Sequence, residues 1–279
     1  MNPASCASRP EGGPPNRFSH PIRAYVLALL ALFCTPSAGH SEDREIAKAR
    51  AAERKIFTDA EIADGFFKIT FGAEFDFAGR TDRIRKYDGP VRVHVINRAR
   101  PDRRSEIAKV IADIRGRIKN LDIAIVDKRE RANVIVRLVR DRDLRRTIRT
   151  AFGRDQARRI QRSLEPQCLS GFTKGDDYRI LDSKVILVAD AGDAIFYDCA
   201  YEELLQSLGP INDDETVPWT MFNDEVQMGF FDVYDQYILN ILYDPRIRAG
   251  MTREEVRALL PEILPAVREW VARVNNLKP

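Results

Sequence analysis

The 279-residue sequence predicts an α+β domain, with a mixed sheet, helices packed on it and a helical C-terminal part. Three observations carry that expectation. Four segments read as strands by alternation and β-branching: "VRVHVI" (91–96), "IAIVD" (123–127), "ANVIVRLV" (132–139) and "KVILVAD" (184–190). Segments with apolar residues at helical spacing lie between and after them. From residue 232 onward only helical patterns remain, as expected of strands and helices that share one core.

The N-terminus sets the compartment. Arg17 and Arg23 flank the apolar run "AYVLALLALFC" (24–34), and "TPSAG" then leads into a polar stretch. This is a secretory signal layout for residues 1–39, with cleavage near Ala38 or Gly39. The run is shorter than the roughly 20 apolar residues of a membrane-spanning helix. No later stretch is apolar enough to cross, so no span is expected once the signal is removed. An uncleaved anchor is one alternative. A lipoprotein at Cys34 is another, opposed by Phe33 where a small residue belongs.

Residues 40–63, Ala- and charge-rich without a strong apolar stripe, read as a mobile leader, and residues 64–279 as the domain. "DGFFKITFG" (64–72) reads as the beginning of a strand, and the stretch up to Pro90 as turns. "SEIAKVIADIRGRIKNL" (105–121) has helical spacing, with Ser105 as its N-cap. A basic helical segment covers 142–164, broken at Gly153. Helices follow over 194–209 and 232–247. The last begins at a capping box, Thr252 with Glu255, is kinked or restarted at Pro261 and Pro265, and runs to about Val274.

Composition narrows the chemistry. Cys168 and Cys199 are the two cysteines left after cleavage. In an oxidising compartment their one possible pairing predicts a disulfide; two buried free thiols are the alternative. His94 is the one histidine inside the folded region, which excludes a three-histidine zinc site within one chain. It alternates away from Val91, Val93 and Val95, so it belongs to the opposite face of its strand. No G-x-S-x-G, P-loop, G-x-G-x-x-G, EF-hand or CxxC pair is present. Charge is segregated: residues 98–162 carry 21 Lys and Arg against 9 Asp and Glu, and residues 163–279 carry 10 against 21. A basic half of this kind suits an anionic polymer. Its basic residues alternate with apolar ones at helical spacing rather than with aromatics, so a solvated helix face is the plainer reading and nucleic acid ranks last among the partners.

The segment "CAYEELLQSLGPIND" (199–213) concentrates the polar chemistry. On a helix, Tyr197, Tyr201, Leu204 and Leu208 form the core stripe, while Glu202 and Gln206 fall nearly opposite, one turn apart. Ile195 and Cys199 share that second face, which makes it a covered or cleft-lining surface. Glu203 projects to one side. Gly209 and Pro210 end the helix, and Asn212 or Asp213 follows in the turn. Oxygen donors of this kind suit magnesium, calcium or manganese better than zinc. The alternative is a polar helix face or a hydrogen-bonded structural network, followed by an ordinary Gly-Pro stop.

Taken together, "C…EELLQSLGPIND", "FND" (222–224) and "LYDPRIRAGMT" (242–252) resemble the secreted bacterial family catalogued as domain of unknown function 2927, over roughly residues 64–260. More distantly, the layout is similar to zincin-like metallopeptidases of the metzincin type. That resemblance implies a sheet strand at "ANVIVRLV", an active-site-type helix at 194–209 and a methionine-containing turn with Met251 as its loose counterpart. It also implies metal ligands at Glu202, Gln206 and Asn212, with Asp213 as the alternative to Asn212, and a catalytic base at Glu203. All three imidazole positions are replaced, so zinc proteolysis does not carry over. The expectation is an exported, periplasmic or secreted protein that binds a peptide or cell-envelope component without catalysis. A divergent metallohydrolase with an oxygen-bound divalent metal ranks second, and anionic-polymer binding through 98–162 third. Nothing in the sequence speaks to oligomeric state.

Overall fold

The computed structural model describes residues 38–72, 82–163 and 167–277; the signal segment expected at 1–39 lies outside them up to residue 37. The strands are β1 (Val91–Asn97), β2 (Ile123–Ile125), β3 (Val134–Val139), β4 (Cys168–Lys174) and β5 (Ile180–Val188). They form one sheet in the order β2-β1-β3-β5-β4. Four of them run parallel, and β4 at the edge is antiparallel to β5. The described helices are α1 (Ala38–Ala52), α2 (Asp59–Thr70), α3 (Arg104–Arg117), α4 (Leu144–Phe152), α5 (Arg154–Ser163), α6 (Asp193–Gln206), α7 (Val233–Leu242) and α8 (Arg253–Val274). The expected mixed sheet with helices is therefore present, and its C-terminal third is helical.

Alternation along β5 separates the two faces of the sheet. Val185 and Leu187 enter the main core with Phe66, Ile107, Phe196, Ile238 and Val256, which come from α2, α3, α6, α7 and α8. Ile186 and Val188 point the other way, into a small cluster with Val139, Leu144, Ile148, Ala157 and Leu169 under α4 and α5. One face thus carries most of the apolar burial, and the other a thin helical cover.

Several elements differ from the sequence expectation. "DGFFKITFG" is the second half of helix α2, not a strand. A capping box, in which Thr58 and Glu61 satisfy each other's backbone N–H, starts that helix, and Phe66, Phe67 and Ile69 are buried from it. Tertiary burial here overrides the strand propensity of aromatic and β-branched residues. Part of the 40–63 segment is packed: Ile46 and Ala49 of α1 lie against the core, and Phe57 and Ile62 are inside it. Strand β4, "CLSGFTK", carries no alternation and was not expected. Arg103, not Ser105, precedes α3, and no side chain caps that end; the Ser105 hydroxyl donates to Glu106 at 2.6 Å. Pro261 and Pro265 lie inside one continuous helix, α8. The buried stripe Val256, Leu260, Ile263, Leu264, Val267 and Val271 crosses both prolines, so packing offsets the missing backbone donors. The break at Gly153, with φ +86°, and the Thr252–Glu255 box are as expected. His94 is half-buried, with Nδ1 3.1 Å from the Val126 carbonyl.

Two buried cations tie helix ends together. Arg85 is 1% exposed, and its Nη2 donates to the carbonyls of Thr70 and Gly72, at 2.8 Å each, beyond the end of α2. Lys86 Nζ donates to the Leu242 and Ile247 carbonyls at 2.7 and 2.9 Å, closing the end of α7.

Candidate functional site

Helix α6 is covered nearly all round, because Phe196, Cys199, Ala200, Tyr201, Leu204 and Leu205 are all buried. Its non-core face is lined in part by the sheet edge: Cys199 and Gln206 are buried there, and Ile195 and Glu202 are half-buried. A Cys168–Cys199 disulfide, with Cα atoms 5.8 Å apart, ties β4 to α6. About two turns further along α6, the Ser170 hydroxyl of β4 lies 3.4 Å from Gln206 Oε1. The expected disulfide is thus the brace between the edge strand and the helix that carries the polar residues.

The helix stops as its sequence predicts. Gly209 adopts φ +139°, and a Cβ there would sit 2.2 Å from the Arg85 carbonyl oxygen, so only glycine fits against that backbone. The Ser207 and Leu208 carbonyls accept from Ser183 Oγ and Tyr243 Oη, at 2.9 Å each. With its end held, the chain turns and brings Asp213 back to Gln206, whose Nε2 donates to Asp213 Oδ1 at 3.0 Å.

A second loop supplies a third carboxylate. Asp235 of α7 accepts from Thr220 Oγ1 at 2.6 Å and from the Met221 N–H at 2.7 Å. The Asp214 N–H donates to the Phe222 carbonyl at 2.9 Å, and Asn223 Nδ2 donates to the Val217 carbonyl at 3.1 Å. These bonds close the 213–224 loop on itself and set Asp224 beside the helix. Glu202, Asp213 and Asp224 then offer carboxylate oxygens that lie within 4.8 Å of one another.

Electrostatics sets this group apart. Burial is the largest cause raising the Glu202 carboxyl well above the usual range; Glu203, Asp213, Asp198 and Asp224 push it the same way. Burial, and then Asp224, push Asp213 up to about 7, against the lowering effect of the Gln206 hydrogen bond. Glu202 is partly exposed and, among the described residues, its side chain makes no hydrogen bond or ion pair. A deeply set carboxylate without a partner is costly. It is satisfied by a proton or by a cation.

The structure sorts the expected residues. Glu202 and Asp213 come together, and Gln206 links Asp213 to β4. Asn212 does not join them: its Nδ2 donates to the Lys68 carbonyl at 3.0 Å, and a Cβ on Gly72 would fall 2.1 Å from its Cγ. It fastens the loop to the end of α2, so the alternative, Asp213, is the residue that converges. Glu203 is 6% exposed, within the protein interior. Met251 lies in the core, its carbonyl accepting from the Ile84 N–H at 2.9 Å. Asp224 was missed as a site residue, although its "FND" segment already stood out in the sequence.

Comparison with known families decides the kinship. Residues 59–262 match the family described as "Protein of unknown function (DUF2927)". The chain belongs to DUF2927. No curated protein and no solved structure matches it. This DUF2927 member carries its carboxylate cluster, its disulfide and its edge strand all within the matched span. Among the described residues no helix is long and apolar enough to cross a membrane.

Proposed function

We propose that this DUF2927 chain is an exported, zincin-like binding module. It holds a hard divalent cation at Glu202, Asp213 and Asp224 and takes an extended peptide or envelope segment along β4. The unpartnered Glu202 carboxylate within the three-carboxylate cluster carries the reading. Three anionic oxygens suit calcium, magnesium or manganese. They do not suit zinc: among the described residues no histidine joins the cluster, and Cys168 and Cys199 are joined in the disulfide. Zincin-like architecture is supported by a sheet strand leading directly into the helix that carries the spaced polar residues, and by the glycine stop that returns Asp213 to it.

The peptide part rests on β4. Among the described residues it pairs with β5 alone, and a free strand edge is a template for strand addition. The Ser170–Gln206 contact places that edge next to the cluster.

A metallohydrolase is the second reading, favoured by a carboxylate cluster whose held cation would lower the pKa of a bound water for a nearby general base to deprotonate. Glu203, the base implied by resemblance, is too enclosed for that role. Calorimetric titration of the full chain with Ca²⁺ and with Mn²⁺ tests the cation site. Saturable binding lost in Glu202→Gln is expected, and absence of binding by both ions sinks it. Peptide binding or cleavage, measured with and without the bound ion, separates the two readings.

A further inference from the structure

The opposite face of the sheet holds a different assembly, independent of the carboxylate cluster. A cavity of about 440 Å³ opens between the end of β3 and α4, lined by Arg98, Arg137, Arg140 and Arg146 with Asp143 as its one acidic residue. Arg137 comes from the middle of β3, where it pairs with Ile96 and Ile186 of the flanking strands. Its Nη1 is buried and has no hydrogen-bond partner. Burial, Arg129 and Arg98 pull its pKa down, so the site concentrates positive charge rather than neutralising it.

The remaining polar groups do not fill the cavity's need for an anion. Asp143 is engaged by Arg140 at 2.7 Å and lies 3.8 Å from Arg146. The Thr147 and Thr150 hydroxyls donate to the Asp143 and Arg146 carbonyls of their own segment. Among the described residues neither Arg98 nor Arg137 has an ion pair. The cavity continues across Arg146 and Thr150 into a second, more open basin with Arg149, Arg154 and Arg158. In that basin Arg149 and Arg154 have no ion pair among the described residues, while Arg158 pairs with Asp155.

We propose that this arginine cradle binds a ligand carrying two or more phosphoryl groups, one seated on Arg137 and Arg98 and the next on Arg149 and Arg154. Guanidinium forks match phosphoryl oxygens, and an enclosed one gains most from them. Two connected basins of positive charge suit two linked anions better than one. The inner basin is built on the β3–α4 connection, and the outer one spans the Gly153 break between α4 and α5.

Titration of the full chain with tripolyphosphate, and separately with inorganic phosphate, tests this. Saturable tripolyphosphate binding is expected, tighter than that of inorganic phosphate. Arg137→Gln and Arg149→Gln should each weaken it by roughly tenfold or more, with Arg98→Gln as a second inner-basin variant should Arg137→Gln fail to fold. Absence of saturable tripolyphosphate binding overturns the proposal, as does affinity unchanged in folded Arg137→Gln or Arg98→Gln. Sedimentation with phosphatidic acid vesicles against phosphatidylcholine vesicles identifies the source. Pelleting that tripolyphosphate competes away supports a lipid headgroup, and tripolyphosphate binding without pelleting supports a soluble phosphorylated ligand. DNA binding that matches tripolyphosphate and survives both inner-basin variants would reduce the face to a nonspecific polyanion contact and overturn the pocket.

Discussion

The two faces of one sheet are built on opposite terms. The face under α6 and α7 has a deep core, and its polar groups are carboxylates that burial and one another push toward protonation. The face under α4 and α5 has a small apolar cluster and a rim of arginines. Counted along the chain, the two charges nearly cancel; in space the arginine cradle and the carboxylate cluster lie on opposite faces of the sheet. A net charge of +3 therefore describes neither surface. The difference teaches that a charge excess in one stretch of sequence acts where its elements pack: α4 and α5 carry theirs to one face, while α3, also basic, joins α6 and α7 on the other.

The largest effects should come from unequal packing. Ile238→Ala, in the deep core, should cost about 3–4 kcal/mol, and Ile148→Ala, under the thin cover, nearer 2 kcal/mol, because a shallow site relaxes more easily. Both are fully buried at 0% and 1% exposure, so chemical denaturation of the pair isolates depth from burial; equal losses would break the comparison. Next comes the disulfide. Cys168→Ser with Cys199→Ser opens a bridge of sequence separation 31, which should lower stability by about 3 kcal/mol and weaken the edge-strand side first. Loss of amide protection in β4 ahead of β3 is the measurement.

The pH dependence of the carboxylate side follows from sign. Asp213 is raised in the folded state to about 7. The stability it allows is therefore complete below the unfolded pKa near 4 and is lost as pH rises through 7. Asp213→Asn should consequently stabilise the ion-free protein by roughly 2 kcal/mol at pH 8 and by little at pH 4. Saturating calcium should erase that advantage, since the wild-type carboxylates then have a counter-ion. Thermal melts at both pH values, with and without calcium, check both statements. The smallest effect belongs to the arginine rim: Arg149→Gln should change stability by no more than about 0.5 kcal/mol, so that any change in anion binding is not a folding effect.

Much of this was legible in the sequence, for identifiable reasons. β1, β3 and β5 are buried strands rich in Val and Ile, and α8 announces itself through Thr252 and Glu255. The α6 stop was readable because glycine and proline have few alternatives there. What escaped depended on distant partners. Strand β4 has no pattern of its own and exists through its pairing with β5 and its tether to α6. Phe66 and Phe67 suit a strand until one knows that α7 and α8 enclose them; the Thr58–Glu61 cap was the local signal that should have tipped the balance. Asn212 and Asp213 are adjacent and similar in shape, but only the amide can donate to the Lys68 carbonyl, and the position of that carbonyl, invisible in the sequence, makes Asn212 the fastener and leaves Asp213 for the cluster. Asp224 reaches the site because Asp235, on another helix, anchors its loop.

The Cys168–Cys199 bridge encloses the whole β4–β5 hairpin and the first half of α6, including the tight turn at 175–179 where the Gly175 N–H bonds the Arg179 carbonyl. A backbone cut in that turn would yield two fragments that still travel as one molecule, and reduction would release them. The hairpin can therefore be nicked while its edge stays in place beside the helix. The bond is a form of damage tolerance as much as a brace.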